Sequence, residues 1–570
     1  MLVLVTLRGV MSKKRKKFPK RKRQRPSKKV PERIDISISE LEEIVDRSKT
    51  EPLSDQDCEQ LHLVLQTLHY LTCELDKKRV SVQRLKEMLF GAATETTRGV
   101  LDRLLKDEKE NTDDDKQKNK PSGDETAAET RKKAKGHGRN GAGDYEGAQT
   151  VRCQHDSLKP GDHCPKCAKG TVYEMAKPGT LIRVMGQAPL GATVYKLQKL
   201  RCNLCGEIFT AQAPSGVGTD KYDAESASMI ALLKYGSGVP FNRLERLQGS
   251  LGIPLPAATQ WDIVERSADR IESVFHEMVY QAAQGRVLHN DDTTMKILAF
   301  CNKDEAAVDK PERTGVFTSG IVSILEDHRI ALFFTGRQHA GENLTDLLKH
   351  RAAELGKPIQ MCDALSRNMP EALEAIVANC LTHGRRRFVE IVGNFPDACL
   401  YVLNILKDVY KNDAEAARQG LTDDQRLHWH QAQSGAKMAK LKVWLTEQIE
   451  QHKVEPNSSL GEAIGYMLRH WDKLTLFLRE PGAPLDNNIC ERTLKKAILH
   501  RKNAYFYKTQ NGARVGDLFM SIIHTCEMNK VNPFDYLTQL QKHAQTAASD
   551  PVGWMPWNYQ QTLTTSGNPQ

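Results

Sequence analysis

The segment PLDNNICER at residues 484–492 decides how we interpret this chain. Glu491 falls in the first turn of a predicted helix, with polar residues placed to cap that helix. Two earlier aspartates, Asp291 and Asp363, each end a short apolar run typical of a strand. Two acids at strand ends and one acid on a later helix predict a site for paired divalent metal ions. Such a site suits phosphodiester chemistry, because the ions hold both the attacking and the leaving oxygen.

Acids at such positions also cap helices or end strands without any catalytic role, so the neighbouring residues matter. Asp292 and Thr293 extend the first acid into a polar cluster, and a strongly basic helix follows Glu491. Basic helices usually face solvent. A basic helix that also presents an acid suits a surface that binds the DNA phosphate backbone next to a metal site. The candidate DNA-binding residues on this helix, which also carries His500, are Arg492, Lys495, Lys496, Arg501 and Lys502. A second basic cluster consists of Arg385, Arg386 and Arg387. These three arginines could contact phosphate groups or lie at a solvated helix end.

The order of predicted elements around the two aspartates indicates a ribonuclease-H-like core. Strands are predicted at 286–290, 293–298, 315–325 and 330–335, followed by a helix at 341–355 and the strand that ends in Asp363. Residues 365–480 are predicted to be almost wholly helical, including 438–451 and 460–479. A helical insertion would therefore separate Asp363 from Glu491.

The 570 residues predict a multidomain α/β protein. Its catalytic core, with the long helical insertion, would follow a zinc-ribbon-like domain and an N-terminal helical or coiled-coil segment. The predicted units are a basic disordered tail at 1–37, a leucine-zipper-like segment at 38–104, a charged linker at 105–150, a zinc-binding domain at 151–215, a helical region at 216–284, the first part of the core at 285–364, the insertion at 365–480, the second part of the core at 481–545 and a tail at 546–570.

The zinc prediction rests on two C-x-x-C pairs, Cys164 with Cys167 and Cys202 with Cys205. Each pair can sit on a tight turn and offer two thiolates to one tetrahedral zinc ion. Strand-like segments between the pairs resemble those of a zinc ribbon. Such a closed site would be structural, and the other cysteines are scattered, as in a reducing cytoplasm.

Two helical patterns have alternative interpretations. Apolar residues recur every seven positions from Leu61 to Leu89, which predicts either a coiled coil or a helical hairpin. The stretches 241–248 and 257–267 outline a helix-turn-helix, with Thr259, Gln260 and Arg266 on its second helix, or two plainly packed helices. Aromatic clusters at 505–507 and 554–559 favour core or lid packing over base stacking.

Charge is concentrated at the N-terminus. Residues 11–30 carry twelve Lys or Arg and no acid, so the net charge of +10 leaves −2 for the rest of the chain. This tail favours phosphate backbones, or is a solvated leader. No segment approaches the ~20 apolar residues that a membrane span needs. Nucleotide-binding loops of the Walker or dinucleotide type and a serine-hydrolase elbow are absent from the sequence.

The chain resembles the large transposase subunit of the insertion sequence 66 family of bacterial mobile elements. The matching stretches are 85–91, the two C-x-x-C pairs, 234–235, 239–243, 288–293, 361–364, 380–388, 486–492, 501–503, 525–526 and 532–537. The run from Asp486 to Arg492, with Arg501-Lys502-Asn503, is the most specific. The residue after the first aspartate is often glutamate in this family and is Asp292 here.

The resemblance implies a DDE transposase, in which Asp291, Asp363 and Glu491 are the ligands of two magnesium or manganese ions, and zinc is structural. It implies binding to terminal inverted repeats and target DNA, strand cleavage and strand transfer, a homo-oligomer, accessory transposition proteins, and a cytoplasmic, nucleoid-associated location. Two alternatives remain at this point. One is a ribonuclease-H-like nuclease without strand transfer, and the other is an inactive zinc-dependent DNA-binding repressor derived from a transposase.

Overall fold

The computed structural model describes residues 38–49, 52–65, 157–167, 169–175, 181, 188–201, 208–218, 220–301, 315–368 and 375–565. The predicted basic tail, the linker, Cys202, Cys205 and the leucine stripe beyond residue 65 lie outside these residues. In the described part of the leader, helix α1 spans Ile38–Arg47, and residues 55–65 are also helical. The helix predicted for 38–104 is therefore interrupted after Arg47.

A five-stranded mixed sheet forms the centre of the molecule. A separate two-stranded antiparallel sheet, β1 (Lys199–Arg201) with β2 (Ile208–Thr210), precedes it in the chain. The strands of the large sheet are β3 (Val287–Thr294), β4 (Phe317–Leu325), β5 (His328–Gly336), β6 (Ile359–Cys362) and β7 (Ile376–Asn379). Their spatial order is β5-β4-β3-β6-β7, with β3, β4 and β5 mutually antiparallel and β6 and β7 parallel to β3.

Most of the remaining described chain is helical. The helices are α2 (Ala224–Ala231), which continues as a π-helical turn at Leu232–Gly236, α3 (Phe241–Ser250), α4 (Ala257–Ala283), α5 (Ala340–Leu348), α6 (Leu381–Ile391), α7 (Pro396–Arg418), α8 (Asp423–Gln433), α9 (Gly435–Glu450), α10 (Ser459–Arg469), α11 (Trp471–Leu474), α12 (Asn488–Ala504), α13 (Gln510–Met528), α14 (Pro533–Lys542), α15 (Ala544–Ser549) and α16 (Tyr559–Thr565), with short 3₁₀ turns at Leu298–Cys301, Ser366–Asn368 and Leu476–Leu478. None of the helices described is long and apolar enough to cross a membrane.

The sheet separates two hydrophobic cores because side chains of a strand alternate between its faces. Leu288 belongs to the main core, which holds helices α2 to α5, α13, α14 and the aromatic residues near the C-terminus. Val287, its neighbour, belongs to the insertion core, which holds helices α6, α7 and α9 to α11. His289 and Asp291 lie two and four residues after Val287 on the same strand. Their side chains therefore point to the same face of the sheet as Val287, the face covered by the insertion core.

Helix α13 covers the outer edge of β5. The backbone N–H groups of residues 329, 331, 333 and 335 donate to side chains spaced four residues apart on one face of this helix and its end: Asn529, Thr525, Ser521 and Asp517, at 3.1, 3.0, 3.0 and 2.6 Å. Four residues of a helix and two residues of a strand both span about 6 Å. Every second N–H of β5 therefore meets every fourth side chain of α13. The polar edge of the sheet is thereby satisfied.

Several predicted elements differ from the structure. The strand predicted for 293–298 is not separate, because Thr293 and Thr294 end β3 and the chain then turns. The insertion is not helical from residue 365, because β7 adds a fifth strand before α6. The second helix of the predicted helix-turn-helix continues to Ala283, and the helix predicted for 460–479 breaks after Arg469.

Candidate active site

Asp291 lies on β3, and Asp363 directly follows β6, the neighbouring parallel strand. The register pairs His289 of β3 with Met361 of β6, and each aspartate lies two residues further along its strand direction. The Asn368 side-chain amide contacts both carboxylates, with its nitrogen 3.2 Å from Asp291 Oδ1 and 2.5 Å from Asp363 Oδ1. The sheet therefore brings together two acids that are 72 residues apart in sequence.

The environment of Asp291 disfavours its charge. Burial and the negative charge of Asp363 raise the pKa of Asp291 to about 7, while hydrogen bonds from the Asp292 backbone N–H and Asn368 oppose the shift. Two adjacent carboxylates in a partly buried site repel each other unless a proton or a cation lies between them. Their oxygens are the ligands that magnesium and manganese prefer, so the donor set fits a divalent cation.

The N-terminus of α12 is held against the same face of the sheet. Asn487 contacts His289 Nδ1 through its Oδ1 at 3.0 Å and donates from Nδ2 to the Asn290 carbonyl at 3.1 Å. The Cys490 thiol donates to the carbonyl of Gly320, which is the residue paired with Asp291 in the sheet. These contacts fix Glu491, the next residue along the helix, on the side of the sheet that carries Asp291.

The side chain of Glu491 is only partly exposed, at 22%. Its Oε1 is buried without a hydrogen-bond partner and lies 3.8 Å from Nε2 of His383. The sulfur of Cys380 lies in the same cluster. A buried carboxylate oxygen that lacks a partner fits a bound cation or a ligand group better than a structural role.

A cavity of about 550 Å³ opens beside Asp363, between the start of the insertion and helix α10. Its wall combines acidic, basic and aromatic side chains: Asp363, Ala364, Leu365, His383, Arg386, Arg387, Glu390, Tyr466, Arg469 and His470. The Arg387 guanidinium lies 4.1 Å from the centre of the Tyr466 ring. Burial and the charges of Arg469, Lys473 and Arg387 lower the pKa of His470.

Asp292 points away from this cluster. Its Oδ2 lies 2.7 Å from His339 Nδ1, and its Oδ1 lies 3.4 Å from Nε of Arg367. Consecutive residues of a strand face opposite sides of the sheet, which is why the two acids have different partners. The polar cluster predicted around Asp291 is thus divided between two faces.

The candidate DNA-binding residues fall into two groups. Arg492, Lys495, Lys502 and Arg387 are exposed, and Arg386 is partly exposed. Others have partners in the fold: Arg501 donates to Thr293 and Thr294, Lys496 pairs with Glu527 at 3.2 Å, and Arg385 is buried. Arg385 is 8% exposed because its position on α6 faces the core, and its contact with DNA stays a prediction. Gln260 is buried as well, and it donates to the carbonyls of Phe241 and Leu255.

Core packing, which the sequence favours for the two aromatic clusters, is found for some of their residues and not for others. Trp554 and Tyr559 are buried in the main core, where the Tyr536 hydroxyl donates to the Trp554 carbonyl at 2.6 Å. Tyr507 is buried too, and it stacks on His500. Tyr505, in contrast, is 68% exposed.

Half of the predicted zinc site lies in the described residues. Cys164 and Cys167 flank a tight turn, in which the Cys164 N–H donates to the Gly170 carbonyl at 2.8 Å. Hydrogen bonds from the Lys169 and Gly170 backbones and from Cys164 lower the pKa of the Cys167 thiol. Such a turn favours a thiolate, as a zinc knuckle requires.

Three residues near the acids are not predicted as site residues from the sequence. Asn368 follows Asp363 by five residues in an ordinary polar segment, whereas Cys380 and His383 lie in the matching stretch 380–388 without a predicted role. Their importance arises from the strand register and the docking of α12, which join segments far apart in the chain.

Comparisons with known proteins find similar sequences. A model of the Transposase IS66 family matches residues 221–515, just over half of the chain. The uncharacterized protein y4jD of Sinorhizobium fredii is 25% identical over 431 residues, which cover 70% of this chain and 79% of y4jD. The uncharacterized protein y4hP of the same organism is 26% identical over 386 residues, or 63% of this chain and 66% of y4hP. A third, y4qI, is 30% identical over 187 residues, about a third of each chain.

Proposed function

Because the chain belongs to the IS66 family of transposases, we propose that it cuts DNA strands at the ends of an insertion sequence and joins them to target DNA. The observation that carries the proposal is the convergence of Asp291, Asp363 and the N-terminus of the Glu491 helix on one face of the sheet. The order of three antiparallel strands followed by two strands parallel to the first supports a ribonuclease-H-like core.

Magnesium or manganese ions would be held by Asp291, Asp363 and Glu491 and would supply charge stabilisation at the attacking and leaving oxygens of the phosphodiester. The protein side chains have separate tasks. Asn368 holds the two aspartates in a common orientation through one amide group. The contacts of Asn487 and Cys490 keep the Glu491 helix against the sheet, which would position the third acid before substrate binds.

The substrate strand would enter along the basic wall of the cavity. Arg387 and Arg469 line it next to Asp363, and Lys473 lies close to it. Phosphate groups favour such a surface without regard to base sequence. The exposed Arg492, Lys495 and Lys502 extend positive charge along α12. Recognition of the terminal inverted repeats would fall to the N-terminal half, with the zinc-binding domain docking DNA and the protein acting as a homo-oligomer with accessory proteins.

The test uses duplex DNA that carries the element's own terminal sequences, with separate assays for binding, strand cleavage and strand transfer. D291N, D363N and E491Q are expected to lower cleavage at least about a hundredfold, because several kcal/mol of transition-state stabilisation are lost. Binding of the same DNA should change little. D346N is the matched control, because Asp346 is a half-exposed acid that pairs with Lys349 on the surface.

The rival functions give different results in these assays. A nuclease without strand transfer would yield nicked ends and no joined products. A DNA-binding repressor would bind the terminal sequences and cleave nothing. Cleavage by all three acidic variants at the parent rate would contradict the assignment of the site.

A further inference from the structure

A cysteine, a histidine and a glutamate from two helices meet beside the candidate active site. The Cys380 sulfur, a ring nitrogen of His383 and a carboxylate oxygen of Glu491 all lie within 4.8 Å of one another. Cys380 immediately precedes α6, His383 lies in the first turn of α6, and Glu491 lies in the first turn of α12. The geometry therefore joins two helix N-termini at one cluster of potential ligands.

The two helix starts are held together by the backbone. The N–H of Leu381 donates to the carbonyl of Leu485 at 3.0 Å, and the N–H of Asn487 donates to the sulfur of Cys380 at 3.3 Å. The backbone N–H of His383 donates to the backbone carbonyl of Cys380 at 3.2 Å, which closes the first turn of this helix. A donor directed at the sulfur, as the N–H of Asn487 is, stabilises a metal-bound thiolate and fixes its orientation.

Two polar atoms of the cluster lack hydrogen-bond partners although they are buried. These are Oε1 of Glu491 and Nδ1 of His383. Buried polar atoms are nearly always paired with protein, water or an ion. A cation bound between the three side chains would give the Glu491 oxygen the partner that it lacks.

The donor set distinguishes this cluster from the two aspartates. Thiolate, imidazole and carboxylate are ligands of zinc and similar transition metals, whereas magnesium prefers oxygen ligands alone. Three protein ligands leave a fourth position for water or a substrate oxygen. An entry path exists, because His383 lines the cavity that opens beside Asp363.

We propose that Cys380, His383 and Glu491 form a transition-metal site that shares Glu491 with the catalytic carboxylates. Zinc bound there withdraws Glu491 from the magnesium site and so inhibits DNA cleavage. Metal binding is independent of the proposed function, whereas the inhibition rests on it.

Binding is tested with cobalt, whose bond to a thiolate gives a charge-transfer band. The metal-free full chain is titrated with Co²⁺ and compared with C380S, which keeps a hydrogen-bond acceptor for Asn487 but removes the sulfur. The wild-type protein should bind one more equivalent with a thiolate band than C380S. H383Q and E491Q should weaken this binding at least about tenfold. C399A is the control, since Cys399 is another buried cysteine of the insertion core that is not part of this cluster.

Any metal site formed by cysteines of the zinc-binding domain is the same in the wild type and in all of these variants. The difference in cobalt binding between the wild type and a variant therefore measures the proposed site. Identical titrations for wild type and C380S would overturn the proposal, whether or not the protein cuts DNA. In the cleavage assay with magnesium, added zinc should inhibit the wild type and should inhibit C380S at least about tenfold less. Equal inhibition of both proteins would refute the sharing of Glu491.

Discussion

Asn368 shows how one side chain can hold two acids together. Its amide nitrogen lies within hydrogen-bonding distance of Asp291 and Asp363, and its backbone carbonyl accepts from Asn290 and Gln360. The residue is fully buried, so its position is fixed by the packing around it. The amide thus orients both candidate ligands without itself needing to bind a metal.

Replacing Asn368 by alanine should weaken magnesium binding without unfolding the protein. We expect N368A to raise the magnesium concentration for half-maximal cleavage about 10- to 100-fold, because the two carboxylates lose their common donor. Cleavage rates measured over a magnesium titration provide the readout. N457A, in the loop before α10, serves as the control. A parallel loss of rate at every magnesium concentration would instead point to a structural defect.

At the level of elements, the close approach of α12 to the sheet depends on Gly320. A Cβ at this position would lie 3.0 Å from both Cγ and Cδ2 of Leu494, and 3.7 Å from the Cys490 sulfur. Leu494 and Cys490 are buried against Val322 of β4. The absence of a side chain at Gly320 therefore allows the Glu491 helix to pack directly over the strand pair that contains Asp291.

G320A should push α12 away from the sheet. The expected loss is about 1–3 kcal/mol in the free energy of unfolding, together with reduced cleavage, because a well-packed contact becomes overfilled. G336A, at the end of β5, has open space around its Cβ and should change stability by less than about 0.5 kcal/mol. Chemical denaturation measures both variants. The loss of unfolding free energy caused by G320A should be smaller when Leu494 is also replaced by alanine. An unchanged loss in the L494A background would exclude the contact with Leu494 as the cause.

At the scale of the whole molecule, stability depends on how α13 covers the sheet edge, and one group there titrates. Asp517 is buried and accepts from the Thr335 N–H at 2.6 Å and from the Thr335 hydroxyl at 2.7 Å. Burial raises the pKa of Asp517 to about 7, against an ordinary value of 3.8, although the Thr335 hydrogen bonds oppose the shift. The folded protein therefore binds this proton more tightly than the unfolded chain does.

The contribution of Asp517 to stability should be complete below about pH 4 and should be lost as the pH rises through about 7. In D517N the group does not titrate. Between about pH 4 and about pH 8, we expect the free energy of unfolding of the wild type to fall by roughly 2–4 kcal/mol relative to that of D517N. Melting temperatures of both proteins across this range give the measurement. D346N should show a constant offset from wild type between about pH 6 and about pH 8, because Asp346 is ionised throughout. A constant offset for D517N as well would contradict the prediction.

Much of the structure around the candidate site could be predicted from the sequence. The apolar runs before Asp291 and Asp363 are strands, and Glu491 lies one turn into a helix, because periodicity and capping are local properties of the chain. The fifth strand at Ile376–Asn379 was missed, since four residues between polar neighbours carry too short a pattern. The burial of Arg385 and Gln260 was not predictable from the sequence, because it depends on helix faces that pack against distant segments.

Periodicity and capping by themselves predicted the α/β class and the long helical segment, while the motif resemblance indicated the family and selected the three candidate acids. Only the tertiary structure decided that Asp291 and Asp363 share the amide of Asn368, that Asp292 faces the opposite side, and that Cys380 and His383 join Glu491. The physical reason is that strand register and helix docking arise from contacts between residues tens to hundreds of positions apart. Local patterns carry no record of those contacts.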